Sequence, residues 1–113
     1  MGFLEKLFGA SAAGITAEEL GEKLKFGKHP FVLDVRQPDE FRQGHIAGAK
    51  LIPLNELARR MDELPKGREV VCVCASGNRS SSASNMLAKA GYKVFNLRGG
   101  MLSWRRAKLP VQK

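Results

Sequence analysis

Glu69-Val70-Val71-Cys72-Val73-Cys74-Ala75-Ser76-Gly77-Asn78-Arg79-Ser80 changes character halfway along. Residues 69–73 read as a strand, and after Glu69 they form a short apolar run rich in β-branched side chains, the composition of a strand covered on both faces. Residues 75–79 are small or polar except for the arginine, and residues 80–90 then read as a helix with Gly91 at its C′ position. A buried strand that passes through a tight loop into a helix belongs to an α/β architecture.

The rest of the chain fits that frame. Thr16 and Glu19 have the spacing of a capping box, with Ile15 and Leu20 at the hydrophobic-staple positions and Leu24 continuing the apolar face. Phe31-Val32-Leu33-Asp34-Val35 is a buried strand, and Pro38-Asp39-Glu40-Phe41 starts a short helix. Lys50-Leu51-Ile52 is a brief strand ended by Pro53. Asn55 then caps a helix that runs to about Met61, with Leu57, Met61 and Leu64 on its inner side. Lys93-Val94-Phe95-Asn96-Leu97 is another strand, and residues 101–108 a final helix. Strands alternating with helices imply a mainly parallel sheet covered on both faces, with ligands bound beyond the carboxyl ends of its strands. The loop after Val73 lies at such an end.

Residues 1–14 read as an N-terminal appendage to a domain spanning 15–113. Phe3, Leu4, Leu7 and Phe8 make a short amphipathic stripe at helical spacing, and Gly9-Ala10-Ser11-Ala12-Ala13-Gly14 reads as a hinge. A turn and a half buries little, so the expectation is a segment that folds back or frays; membrane or partner contact through residues 3–8 is the alternative.

Composition narrows the function classes. The chain has 113 residues, enough for one domain with its own core, and an apolar fraction of 43% with 27% charged residues suits a globular protein. No apolar run approaches the ~20 residues needed to cross a bilayer, and residues 1–6 lack the pattern of a signal peptide. A cytoplasmic location is the expectation. Cys72 and Cys74, one residue apart, share a strand face too widely spaced for an unstrained disulfide, which points to a reducing compartment. Cys-x-Cys with only His29 and His45 to complete it makes a poor zinc set, so no metal is expected. The net charge of +8 attracts anions of many kinds, but the basic residues are scattered and no nucleic-acid motif accompanies them. Nucleic acid is therefore not the expected partner.

The chemistry concentrates at Cys74. A tight loop of small residues can turn several backbone N–H groups inward as a nest, and the following helix aims its positive end at the same point. Gly77 supplies a positive φ or close approach where the loop needs one. Arg79 adds a permanent charge and a planar donor fork. Each of these favours a thiolate and lowers the thiol pKa, so that Cys74 is a nucleophile in a cradle made for an anion.

Three stretches carry a family resemblance. Asp34-Val35-Arg36, followed by Glu40-Phe41 and Gly44-His45-Ile46-Ala47-Gly48-Ala49, resembles the first signature of the rhodaneses. Cys74-Ala75-Ser76-Gly77-Asn78-Arg79-Ser80 resembles their active-site loop, and Gly99-Gly100-Met101-Leu102-Ser103-Trp104 their closing motif. The chain thus resembles a single-domain rhodanese over residues 15–106. The resemblance implies a three-layer fold with a five-stranded parallel sheet between helices. It also implies a ping-pong sulfurtransferase without metal or organic cofactor. In that scheme Cys74 takes a sulfane sulfur from thiosulfate or a persulfide donor and passes it to cyanide, a thiol or a sulfur-relay protein. Ala75, Ser76, Gly77, Asn78, Arg79 and Ser80 would form the substrate-binding loop. Related dual-specificity phosphatases carry a loop one residue longer, which admits phosphate or arsenate. Four residues between Cys74 and Arg79 fit the sulfur form. A phosphatase or arsenate-reductase-like enzyme and a non-catalytic binding module of the same fold are the competing readings; such modules usually lack the cysteine.

Other residues have plainer expectations. Asp34, ending a strand, is expected to hold backbone groups or Arg36. Arg36 either lines the pocket rim or pairs with Asp39 or Glu40, and Arg98 is a second rim candidate. His45 reads as a turn residue and His29 as surface. Cys72 reads as a buried strand residue, with a resolving thiol as the alternative.

Overall fold

A computed structural model describes residues 12–27 and 29–113. Five strands, β1 (Ala13–Ile15), β2 (Phe31–Asp34), β3 (Lys50–Leu51), β4 (Val70–Val73) and β5 (Val94–Leu97), form one sheet in the order β1-β5-β4-β2-β3. Every neighbouring pair is parallel. The helices are α1 (Ala17–Lys23), α2 (Pro38–Arg42), α3 (Leu54–Arg60), α4 (Asn78–Lys89) and α5 (Gly100–Arg106), with a 3-10 turn at Met61–Glu63 after α3.

β4 lies at the centre and is buried at all four positions. Its side chains alternate between two cores, as the period of a strand requires. Val70 and Cys72, with Cys74 beyond them, join Leu57, Leu64, Ala83 and Leu87 from the side of α3 and α4. Val71 and Val73 join Leu20, Met101 and Trp104 from the side of α1 and α5. That two-sided covering is why β4 reads as an unbroken apolar run. The α/β class and the three layers expected from the sequence are those observed.

At α1 the Thr16 hydroxyl accepts from the Glu19 N–H at 3.1 Å and the Glu19 carboxylate accepts from the Thr16 N–H at 2.8 Å. Ile15 and Leu20 are both buried in the same core. Gly91, with φ +95°, follows the end of α4. Among the described residues, no helix is long and apolar enough to cross a membrane.

Several boundaries differ from the sequence reading. Ala13 and Gly14, placed in the hinge, belong to edge strand β1, paired with Phe95 and Asn96. Small residues carry no strand signature of their own; pairing with β5 makes this segment a strand. The amphipathic stripe at residues 3–8 lies outside the described residues. Helix α3 starts at Leu54, directly after Pro53, so Asn55 lies inside its first turn rather than at the cap. The Leu54 N–H donates instead to the Val35 carbonyl at 3.1 Å, so the sheet satisfies that donor. Helices α4 and α5 begin at Asn78 and Gly100, earlier than residues 80 and 101, because Gly77 and Gly99 take left-handed conformations as their N-caps.

Candidate functional site

Cys74 is the first residue beyond β4 and is 1% exposed. Its carbonyl accepts from the Met101 N–H at 2.8 Å, and the Ala75 carbonyl accepts from the Leu102 N–H at 3.1 Å. A trans peptide holds its C=O and the following N–H on opposite sides. Spending these two carbonyls on α5 therefore turns the N–H groups of Ala75 and Ser76 the other way. Gly77 then adopts φ +104°, which only glycine reaches without strain, and its N–H donates to the Cys74 sulfur at 3.0 Å. The approach of α5 to the loop depends on Gly100, since a Cβ there would sit 2.3 Å from the Cys74 carbonyl oxygen.

Ser80, in the first turn of α4, places its hydroxyl 3.3 Å from the same sulfur. Burial pushes the Cys74 thiol up, but the Ser80 hydroxyl and the N–H groups of Ser80, Gly77 and Ser76 outweigh it. The net direction is downward from the ordinary thiol value. The sulfur is thus enclosed by donors and held toward its anionic form.

Arg79 is half-buried and forms a two-point ion pair with Glu40 of α2, at 2.7 and 2.9 Å. This pair ties the loop to the neighbouring helix and commits the guanidinium fork to a carboxylate. The Glu40 carboxyl is lowered to about 2, first by the Arg79 hydrogen bonds against an opposing burial effect, with help from the Gln37 N–H. A carboxyl depressed in the folded state contributes stability that is complete above its unfolded pKa of about 4.3 and is lost as pH falls through its folded value. Glu40→Gln is therefore expected to cost about 1 kcal/mol at pH 7. The difference from the parent should close between pH about 5 and about 2. Urea unfolding across that range checks this, and a gap that stays constant with pH would contradict it.

The remaining candidates lie apart. Arg36, proposed for the rim, is 4% exposed and bonded through Nε and Nη2 to both Asp34 carboxylate oxygens, with Nη2 also donating to the Gly44 carbonyl at 2.9 Å. It is a buried strut between β2 and the turn after α2, not a rim residue and not a partner of Asp39 or Glu40. Its burial follows from Asp34 beneath it, itself 1% exposed. Arg98 is exposed and leans across Gly14 at the sheet edge, in a cleft of about 350 Å³ that it shares with Thr16, Gly99, Ser103 and Arg106. Gly99, which lines that cleft, packs close to Gly77, where a Cβ would sit 3.4 Å from the Gly99 nitrogen. Ser76 and Asn78 are exposed, while Ala75 is half-buried.

Cys72 is fully buried in the sheet and pushed up to about 12, by burial first, with the Cys74 charge adding to it against the Ser84 hydroxyl. It stays a neutral thiol. His45 stacks on Phe41 at 3.7 Å, and its Nδ1 lies 2.8 Å from the Phe41 carbonyl, anchoring the turn.

Two residues that the sequence reading left without a role at the site reach it. Glu40 holds Arg79. Asn96 of β5 accepts from the Ser80 hydroxyl and donates to the Gly77 carbonyl at 3.2 Å. The available signal for Asn96 was a carboxamide in an otherwise apolar strand, where such residues are depleted.

The family model for the rhodanese-like domain matches residues 16–107. A sulfurtransferase of Allochromatium vinosum is 41% identical over 98 residues, covering 86% of this chain and 92% of that protein. A putative sulfurtransferase of Bacillus subtilis is 33% identical, covering 80% and 87%. The crystal structure of a rhodanese-related protein from Thermoplasma volcanium superposes with a TM-score of 0.83 at 35% identity, covering 88% and 97%. With its parallel five-stranded sheet and its cysteine loop between β4 and α4, the chain belongs to the rhodanese-like domain family, whose members similar to it include sulfurtransferases.

Proposed function

We propose that this protein transfers sulfane sulfur through a persulfide on Cys74. The observation that carries the reading is the Cys74 sulfur itself. It is buried, it takes donors from Gly77 and Ser80, and its loop has only four residues before Arg79. In the first half-reaction the thiolate attacks the sulfane sulfur of a donor such as thiosulfate. A new S–S bond forms to Cys74, the donor's S–S bond breaks, and sulfite departs with the bonding pair. The outer sulfur then carries the negative charge and lies against the loop N–H groups, which suit an anion. In the second half-reaction a thiolate or cyanide attacks that outer sulfur, and Cys74 leaves as the thiolate. No proton is needed at either sulfur while both attacking groups are ionised.

Arg79 supports the loop through Glu40 and adds positive potential, acting on Cys74 at a distance rather than as a free clamp. The acceptor class extends to protein thiols. A similar chain forms part of a putative sulfur carrier protein of Bacillus subtilis, 35% identical and covering 52% of that protein. Free Cys72 and Cys74 suit a reducing, cytoplasmic setting.

The test is intact-protein mass spectrometry after exposure to thiosulfate, glutathione persulfide and other sulfane donors. A gain of one sulfur atom, removed again by cyanide or excess thiol, is the expected result. Hydrolysis of an aryl phosphate without any gain of sulfur would replace this reading by a phosphatase. A folded protein showing neither reaction would make it a binding module.

A further inference from the structure

Ser80 has one hydroxyl proton and two acceptors. Its oxygen lies within hydrogen-bond distance of the Asn96 side-chain oxygen and 3.3 Å from the Cys74 sulfur. Asn96 is half-buried in β5, in register with Cys72 of β4 and Gly14 of β1, so the sheet fixes its place. Its Nδ2 donates to the Gly77 carbonyl, which orients the amide and leaves Oδ1 facing Ser80. Ser80 is fully buried, so no bulk water supplies a substitute partner.

We infer that Asn96 is a positioning residue that acts on Cys74 through Ser80, by competing with the sulfur for the single hydroxyl proton. While Cys74 is a neutral thiol, its S–H points to the Ser80 oxygen and the Ser80 O–H points to Asn96, so that every group in the chain is paired. When Cys74 ionises, the hydroxyl turns to the sulfur anion and Asn96 Oδ1 loses its donor. The proton remains on the Ser80 oxygen throughout, and only its direction changes. Losing a hydrogen-bond partner at a half-buried oxygen has a cost, so Asn96 opposes ionisation and holds the thiol pKa above the value the loop alone would set.

The consequence bears on sulfur transfer, and to that extent the inference rests on the proposed function. Cys74 must attack in one half-reaction and leave in the other. A lower thiol pKa makes a better leaving group and a weaker nucleophile. Once an outer sulfur is attached, the inner sulfur carries no charge and the hydroxyl returns to Asn96. Asn96 thereby sets a balance between loading and unloading.

Other charged groups act on the same sulfur. Arg79 of α4 contributes positive potential, partly neutralised by Glu40 of α2, and the buried Arg36–Asp34 pair of β2 is internally compensated. Cys72 of β4 is protonated. The side-chain hydrogen bonds of Asn96 go to Ser80 and Gly77, and its register partner Cys72 is neutral, so a substitution there leaves the charged groups in place.

The experiment needs no sulfur donor, so its outcome is separate from that of the persulfide assay. The rate of Cys74 alkylation by iodoacetamide is followed against pH for the parent, Asn96→Val, Ser80→Ala and the double variant. Valine is chosen because it suits a strand and offers no acceptor. Asn96→Val should move the alkylation midpoint downward by roughly half a pH unit or more. In the Ser80→Ala background the same substitution should move it by much less. An equal shift in both backgrounds would mean that Asn96 acts through the loop backbone, and overturns the inference. An upward shift or no shift does the same. If the valine variant proves unfolded by circular dichroism, Asn96→Thr is measured in its place with the same criteria, its shorter side chain having to weaken the contact.

Discussion

Cys74→Ser should abolish sulfur loading, lowering transfer from thiosulfate to cyanide by roughly a thousandfold or more. The same substitution at Cys72 should leave most of it. An alcohol at position 74 is un-ionised at neutral pH, and the donors that stabilise a sulfur anion there would meet only a neutral oxygen. Serine is close in size to cysteine, so the loop should keep its shape and the loss should not trace to unfolding. Cys72 lies two residues back, within β4 itself, and joins the same core as Cys74, but burial pushes its thiol up to about 12, and the hydroxyl that opposes this is that of Ser84, outside the loop. Serine in that apolar setting should cost stability, about 1–3 kcal/mol, and little activity. Paired measurements of turnover and unfolding free energy separate the two positions. Full activity in Cys74→Ser, or its disappearance in Cys72→Ser with folding intact, would reverse the assignment.

Arg36→Met should be among the most damaging single changes outside the loop. It leaves the Asp34 carboxylate, 1% exposed, without the guanidinium that pairs with both of its oxygens. Breaking a buried ion pair from one side costs about 3–5 kcal/mol, because an uncompensated charge stays in the interior. The Gly44 carbonyl loses its donor as well. The double variant Asp34→Leu, Arg36→Met removes both charges and should recover much of the loss, since an apolar replacement of a buried pair is often close to neutral. Urea unfolding of the two variants decides the matter. A single variant within about 1 kcal/mol of the parent, or a double variant no better than the single, would show that the pair is not what holds β2 to the turn at Gly44.

Much of the molecule was legible because the signals are local. The β4 run, the capping box at Thr16 and Glu19, and the glycine after α4 each report a structure decided within a few residues. The same holds for the candidate loop, where Cys74, Gly77 and Ser80 follow one another in a chain that must turn from strand to helix, and the structure brings them together. What escaped depends on contacts across the sheet. Ala13 and Gly14 carry no pattern that marks a strand; β5 recruits them. Arg36 could be assigned to the surface or to Glu40 with equal justice, because only the folded chain shows Asp34 beneath it. Glu40 and Asn96 reach the loop from 39 and 16 residues away from the residues they contact. Sequence spacing alone has no means of pairing them.

The two hydrogen bonds from α5 to the loop carbonyls have a consequence in time. Cys74 and Ala75 leave the ribosome 27 residues ahead of Met101 and Leu102, which orient their peptide units. Until Met101 and Leu102 arrive, nothing turns those N–H groups inward, and Cys74 is an ordinary thiol on an unfinished polypeptide. Reactive sulfur is then a property acquired late, only once α5 has been made and has docked on the loop.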